Sequence, residues 1–212
     1  MKLRFHKSIA AALSALLLCL PLFAAEKTED VNLEDSLQSL NLQEEQRDAA
    51  YYFHEHLLEA SAVSQASGGQ VLEGESRDNG FVFKGAGTGA DIAETSDIIQ
   101  GKSVKVIRMS PERLSTRRLQ FQEVPAASRL VLQYKLQQPA DSKKNVYLYL
   151  QILWGRHVIK KIRIGTRANQ WISQTIDLGV VSFLNRSFPV TFELLSDKVE
   201  GVQFFFSPKL YS

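Results

Sequence analysis

Three short stretches bring together side chains of the kind that do chemistry. Gly101-Lys102-Ser103 repeats the end of a phosphate-binding loop, His54-Glu55-His56 offers two imidazoles, and Gly85-Ala86-Gly87-Thr88-Gly89 is a glycine-rich run. Each fails on spacing. A phosphate loop needs a glycine well ahead of its Gly-Lys pair and a helix after it whose N-terminus faces the phosphate. Ser96 occupies the glycine's place and Val104-Lys105-Val106-Ile107 alternates like a strand, so Gly101-Lys102-Ser103 reads as a strand entry. Residues two apart on a helix point about 200° from each other, so His54 and His56 cannot share an ion as His at i and i+4 do. They read as packed or solvated. In the glycine run the third glycine comes one place too early for a dinucleotide fingerprint, and no crossover helix follows, so a loop is expected.

Covalent and acid-base catalysis find little support. There is no Gly-x-Ser-x-Gly elbow, and the single cysteine, Cys19, lies in the leader described below. Glycoside hydrolysis needs two carboxyls about 5–10 Å apart, and in the C-terminal part only Asp177 and Glu193 fall on expected strands. No catalytic residue, cofactor or metal ligand is assigned, and the expectation is a protein that is not an enzyme.

Binding is better supported. The stretch 146–154 is apolar on both faces, with Leu148, Leu150, Ile152 and Trp154 on one and Tyr147, Tyr149, Gln151 and Leu153 on the other. One face must be core. The tyrosines either form an aromatic platform on which a sugar ring stacks, with Trp154 and Arg156 beside it, or lie beneath an N-terminal helix. Arg156, His157, Lys160, Lys161, Arg163 and Arg167 then concentrate positive charge. With Arg117, Arg118, Lys143 and Lys144 they suit an anionic polysaccharide, lipid phosphate or an acidic protein segment, or else are scattered solvated charge. Trp171 reads as a core anchor.

The elements that must position these groups begin with a leader. Lys2, Arg4 and Lys7 precede an apolar stretch, 9–20, too short to span a bilayer, then Pro21 and Ala24-Ala25, the pattern of a secretory signal over residues 1–25. Leu18 is too large for lipidation at Cys19 to be expected, and no later segment suits a transmembrane helix. A mature chain without cysteine fits the bacterial periplasm or cell envelope better than a disulfide-bearing secreted domain.

The formal net charge of +2 belongs to the leader; without its three cations 22 basic residues face 23 acidic ones. That balance hides a division. Residues 26–80 hold 3 basic and 13 acidic residues, whereas 81–212 hold 19 basic and 10 acidic. Export and near-neutrality count against nucleic acid as a partner.

Within the acidic part, Asn41-Leu42-Gln43-Glu44 has the form of a capping box, and Ala49, Phe53, His56, Leu57 and Ala60 recur at helical spacing, predicting an amphipathic helix over 42–64. From residue 71 short β-branched and aromatic runs replace it. They predict strands near 80–83, 104–109, 119–121, 129–136, 146–154, 157–164, 171–177, 189–195 and 202–206, with Gly155-Arg156 as a tight hairpin turn. Strands in that number without interleaved helices predict a mainly β, antiparallel sandwich over 81–212, preceded by an acidic helical arm and linker over 26–80.

Gly101-Lys102-Ser103-Val104-Lys105-Val106, Arg129 to Lys135, Trp171 to Leu178, Val190-Thr191-Phe192-Glu193 and Val202 to Phe206 follow one another as in galactose-binding-like jelly-roll modules, the carbohydrate-binding-module type of β-sandwich, which residues 81–212 resemble. The resemblance implies a jelly roll, often a carbohydrate-binding or assembly module of exported proteins. Such modules often carry acids near a calcium site on the last strand; Phe204-Phe205-Phe206-Ser207-Pro208 has none. The first expected function is a non-enzymatic structural subunit of the cell envelope, of the kind of a periplasmic flagellar-sheath component, working by protein–protein interaction or self-association. The second is a carbohydrate-binding module with a glycan on its aromatic strand face, and the third a glycan-active enzyme.

Overall fold

Alternation of apolar and polar side chains gives each strand of the C-terminal region one face to bury, and antiparallel pairing satisfies the backbone groups that such burial takes from water. The computed structural model describes residues 49–65, 69–78, 80–85, 91–111, 115–139, 146–165, 170–179, 187–196 and 201–212, which fall within a unit spanning Asp48–Ser212. Its strands are β1 (Tyr51–Tyr52), β2 (Ser61–Ser64), β3 (Gln70–Arg77), β4 (Gly80–Lys84), β5 (Ile92–Ile99), β6 (Lys102–Met109), β7 (Ser115–Val124), β8 (Arg129–Gln137), β9 (Tyr147–Trp154), β10 (His157–Gly165), β11 (Ile172–Asp177), β12 (Phe188–Ser196) and β13 (Gln203–Tyr211). Every expected strand is present, with β1, β2, β3 and β5 in addition.

The pairing order is β10-β9-β12-β7-β2-β3-β4-β5-β6-β13-β8-β11, with β1 beside β13. The path folds at β3 into two layers: sheet B, β10 to β2, and sheet A, β4 to β11. Within them β6-β13-β8-β11 and β7-β12-β9-β10 are the two halves of a jelly roll, because from β6 onward the chain alternates between layers, turning back within sheet B only at the β9–β10 hairpin. The antiparallel sandwich implied by the resemblance is the observed architecture.

Between the layers lies the core. Phe121 and Phe192 of sheet B meet Phe204 and Phe206 of sheet A, with Phe192 and Phe206 rings 5.4 Å apart. Leu148, Leu150 and Ile152 face inward, as the alternation of β9 requires. The expected turn at Gly155-Arg156 closes β9 onto β10, pairing Trp154 with His157, and Gly155 takes the positive φ of 62° that such a turn demands. Gly101-Lys102-Ser103 is a strand entry, with Gln100 and Gly101 both at positive φ between β5 and β6.

The segment 51–64, expected to be helical, is instead β1, a seven-residue 3₁₀ helix over Phe53–Glu59 kinked at His56, and β2. The helical spacing of Phe53 and Leu57 serves a different purpose. Both are buried, plugging one end of the core, and the Phe53 ring sits 5.0 Å from Phe121 and 5.1 Å from Phe192. The short helix bridges the layers, since β1 pairs with β13 of sheet A and β2 with β7 of sheet B; those ladders outweigh local helix propensity. β3 and β4 form a hairpin across residue 80, pairing Arg77 with Gly80. The capping box at 41–44, the signal at 1–25, and the glycine run after Gly85 lie outside the described residues.

Candidate functional site: the β9–β10 face

Outward-facing residues of β9 and β10 form a ladder. Tyr147, Tyr149 and Gln151 of β9 stand opposite Gly165, Arg163 and Lys161 of β10. Side chains reach across diagonally, so the Arg163 guanidinium lies over the Tyr147 ring at 4.1 Å and the Lys161 ammonium over the Tyr149 ring at 5.0 Å. Gly165 makes room for the first ring: a Cβ there would be 3.2 Å from the Tyr147 edge. Tyr147 and Tyr149 are 45% and 39% exposed, and of the helix expected over 42–64 to lie on them, the described part pairs instead with β13 and β7.

The aromatic faces are occupied by cations, so the surface offers an incoming ligand positive charge edged by phenol hydroxyls. Those cations are uncompensated. Elsewhere Arg77, Lys84, Lys105, Arg117, Arg118 and Lys135 each meet a carboxylate, whereas Arg156, Lys160, Lys161 and Arg163 meet none among the described residues. Inward from the ladder, Gln151 pairs with Glu193 of β12, and Glu193 accepts a 2.7 Å hydrogen bond from Arg118 Nε.

Several expected members fall elsewhere. Trp154 is on the core side of β9, 5% exposed, and cannot share a surface with the tyrosines. A bulge between Val158 and Lys160 shifts the register, so half-buried Lys160 faces Ile152 on the core side while Lys161 and Arg163 point out. Arg156 is exposed at the turn and His157 exposed at the start of β10. Arg117 is buried, bound to Asp91 at 2.8 Å and donating to the Ser110 carbonyl, and so adds nothing to the cationic surface. Arg167, Lys143 and Lys144 lie outside the described residues.

Solved structures similar to this chain include a carbohydrate-binding module from the β-sandwich superfamily (11% identity, 75% of this chain and 59% of that one, TM-score 0.43). This chain thus spans a little over half the length of that structure. Others are the K2 cleaved adhesin domain of Lys-gingipain (14% identity, 59% and 84%, TM-score 0.40) and a family 29 carbohydrate-binding module (8% identity, 55% and 72%, TM-score 0.31). No family model and no curated protein matches the sequence.

The remaining chemical candidates separate in space. Asp177, on β11, and Glu193, on β12, lie in different layers; their inward neighbours Ile176 and Phe192 are buried, so the two carboxyls occupy opposite outer faces. They do not form a catalytic pair. His56 stacks on Tyr51 with ring centroids 4.2 Å apart and contacts Glu59 at 3.3 Å, whereas His54 lies edge-on to Tyr52, so the two imidazoles have separate packing partners. Burial lowers the His54 pKa against the attraction of Glu55 and Glu94. Among the described residues no cluster of His, Cys, Asp and Glu suits a metal ion, and no helix is long and apolar enough to cross a membrane.

On the outer face of sheet A sits an arrangement that the linear sequence does not reveal. β6 pairs with β13 only from Ile107 to Met109, and β1 takes the neighbouring place farther along β13, so the β5–β6 hairpin is free to leave the sheet. Its Ile99, Val104 and Val106 pack against Phe205 and Trp171, and Asp97 forms an ion pair with Lys135, whose ammonium lies 5.3 Å from the Trp171 ring centre and 5.1 Å from that of Phe205. Trp171 is thus an anchor, in a second small core outside the first.

Proposed function

We propose that this chain is a non-catalytic module of an exported protein and binds an acidic glycan along the outer face of β9 and β10. The supporting observation is the ladder of Tyr147, Arg163, Tyr149 and Lys161, whose cations are fixed over aromatic rings and have no acidic partner among the described residues. An extended polyanion with regularly spaced carboxylates or sulfates suits such a row. Charge-assisted hydrogen bonds hold its anionic groups, while ring edges and Gln151 meet hydroxyls. Placement of Asp177 and Glu193 on opposite faces supports the non-catalytic reading.

Calorimetric titration of the protein with a uronate polymer and with an uncharged polysaccharide of similar length tests it. The expected result is binding to the uronate that weakens with salt, falls at least about tenfold in Lys161→Gln/Arg163→Gln, and falls in Tyr149→Ala, with unchanged circular dichroism. Equal binding by the wild type and the double variant would sink the proposal. An envelope assembly role is the second reading, motivated by the opposed charges of 26–80 and 81–212. It predicts a salt-dependent solution mass in the absence of any glycan.

A further inference from the structure

We propose a second ligand site, for an uncharged pyranose, in the cleft of about 470 Å³ on the outer face of sheet A where the β3–β4 turn meets β5 and β6. It uses none of the β9–β10 residues and stands whether or not the ladder binds a polyanion.

The floor of this cleft is made of small side chains placed by cross-strand register. Val82 pairs with Ala93, Ala93 pairs with Arg108 on the next strand, and Gly80 and Thr95 complete the floor. Gly80 is doubly constrained: its φ is +121°, and a Cβ would sit 2.7 Å from Glu94 Oε2. Glu94 therefore lies against Gly80, held there by Lys105 at 3.2 Å. The result is a shallow apolar strip bordered by charged walls, in the size range of pockets that take small ligands, about 300–1,000 Å³.

The walls carry unused hydrogen-bonding capacity of both kinds. Arg108 Nε is buried and has no hydrogen-bond partner, a situation that folded proteins seldom leave uncompensated. Asp78 accepts no hydrogen bond from any described residue. Arg77, steadied by Glu75 at 3.4 Å, faces the cleft from β3. The Asp78 carboxylate and the guanidinium groups of Arg77 and Arg108 side by side repel a strongly charged ligand of either sign but suit vicinal hydroxyls; Glu94 pairs with Ile107 and turns to the other face of β5. One hydroxyl donates to Asp78 while its neighbour accepts from the guanidinium of Arg108, and the flatter C–H side of the ring lies on Val82 and Ala93. That chemistry is the opposite of the ladder's, which asks for anions.

The test is ligand-observed NMR and calorimetry with glucose, galactose, mannose and their methyl glycosides. The proteins are the wild type, Ala93→Leu to fill the floor, Arg108→Gln to remove the guanidinium, and Arg163→Gln on the far sheet, with folding checked by circular dichroism. Saturable binding of at least one hexose is expected, weakened at least about tenfold by Arg108→Gln and by Ala93→Leu and unchanged by Arg163→Gln. No saturable hexose binding by the wild type, or binding that a folded Arg108→Gln retains in full, overturns the second site. Hexose binding lost in Arg163→Gln but kept in Arg108→Gln overturns it too, by assigning the sugar to the ladder. Failure here leaves the uronate result standing, since that titration uses different probes and reads the loss caused by changes on β9 and β10.

Discussion

Tyr51 illustrates how one side chain at the sandwich's end links packing to pH. Its ring is edge-on to Phe53 at 4.9 Å and stacked on His56, and burial, with Glu59 adding to it, raises its pKa from 10.0 to about 12. The folded state therefore holds the phenol proton more tightly than the unfolded chain. Its contribution is fully present below pH 10 and is lost as pH rises from 10 towards about 12. Tyr51→Phe is expected to flatten part of the alkaline decline in denaturant-derived stability, with Tyr134, also raised by burial, supplying another part. An unchanged decline would show that this phenol titrates alike in both states. At the same scale, the outward display of Tyr147 and Tyr149 was legible from alternation alone, because a strand's period assigns each side chain to a face. The inward turn of Lys160 was not. A bulge shifts that period by one, and nothing in Val158-Ile159-Lys160 marks it.

Among elements, the β5–β6 hairpin is held over sheet A by an ion pair as well as by apolar contact. Burial works against the charged form of Asp97, but the hydrogen bonds from Lys135 and the Ile98 amide, with the attraction of Lys135, outweigh it and lower the pKa below 3.8. A depressed carboxyl stabilises the fold above its unfolded value, and this contribution is lost as pH falls through the folded one, so the hairpin's anchorage weakens in acid below pH 3.8. Asp97→Asn is expected to cost about 2 kcal/mol at neutral pH, measured by urea unfolding, and to remove part of the acid sensitivity; a variant as stable as the wild type would leave the apolar contacts as the whole anchor. Neither this hairpin's excursion nor the cleft beside it could be read from the chain. Ile92–Ile99 carries Glu94, Thr95, Ser96 and Asp97 in a row, and β3 buries only Leu72, so apolar periodicity marks neither strand. The cleft also depends on register across β3 to β6, which joins residues remote in sequence.

For the whole molecule, residues 51–64 belong to the sandwich even though their apolar spacing suited a separate helix. They contribute Phe53, Leu57 and Ala62 to the core and a strand to each sheet. A protein starting at Gln70 is expected to lose cooperative unfolding, since deleting one buried phenylalanine alone costs about 3–5 kcal/mol, against a typical total of about 5–15 kcal/mol. A melt as sharp as that of the longer chain would contradict the layered assignment of β1 and β2. The jelly-roll order has a further consequence, in time. β13 lies between β6 and β8 in the middle of sheet A, so that layer cannot close until residues 203–211 are at hand. Pairings between strands so distant along the chain form slowly. A polypeptide passing N-terminus first through a narrow channel would therefore leave this layer open, and still threadable, until residues 203–211 had emerged.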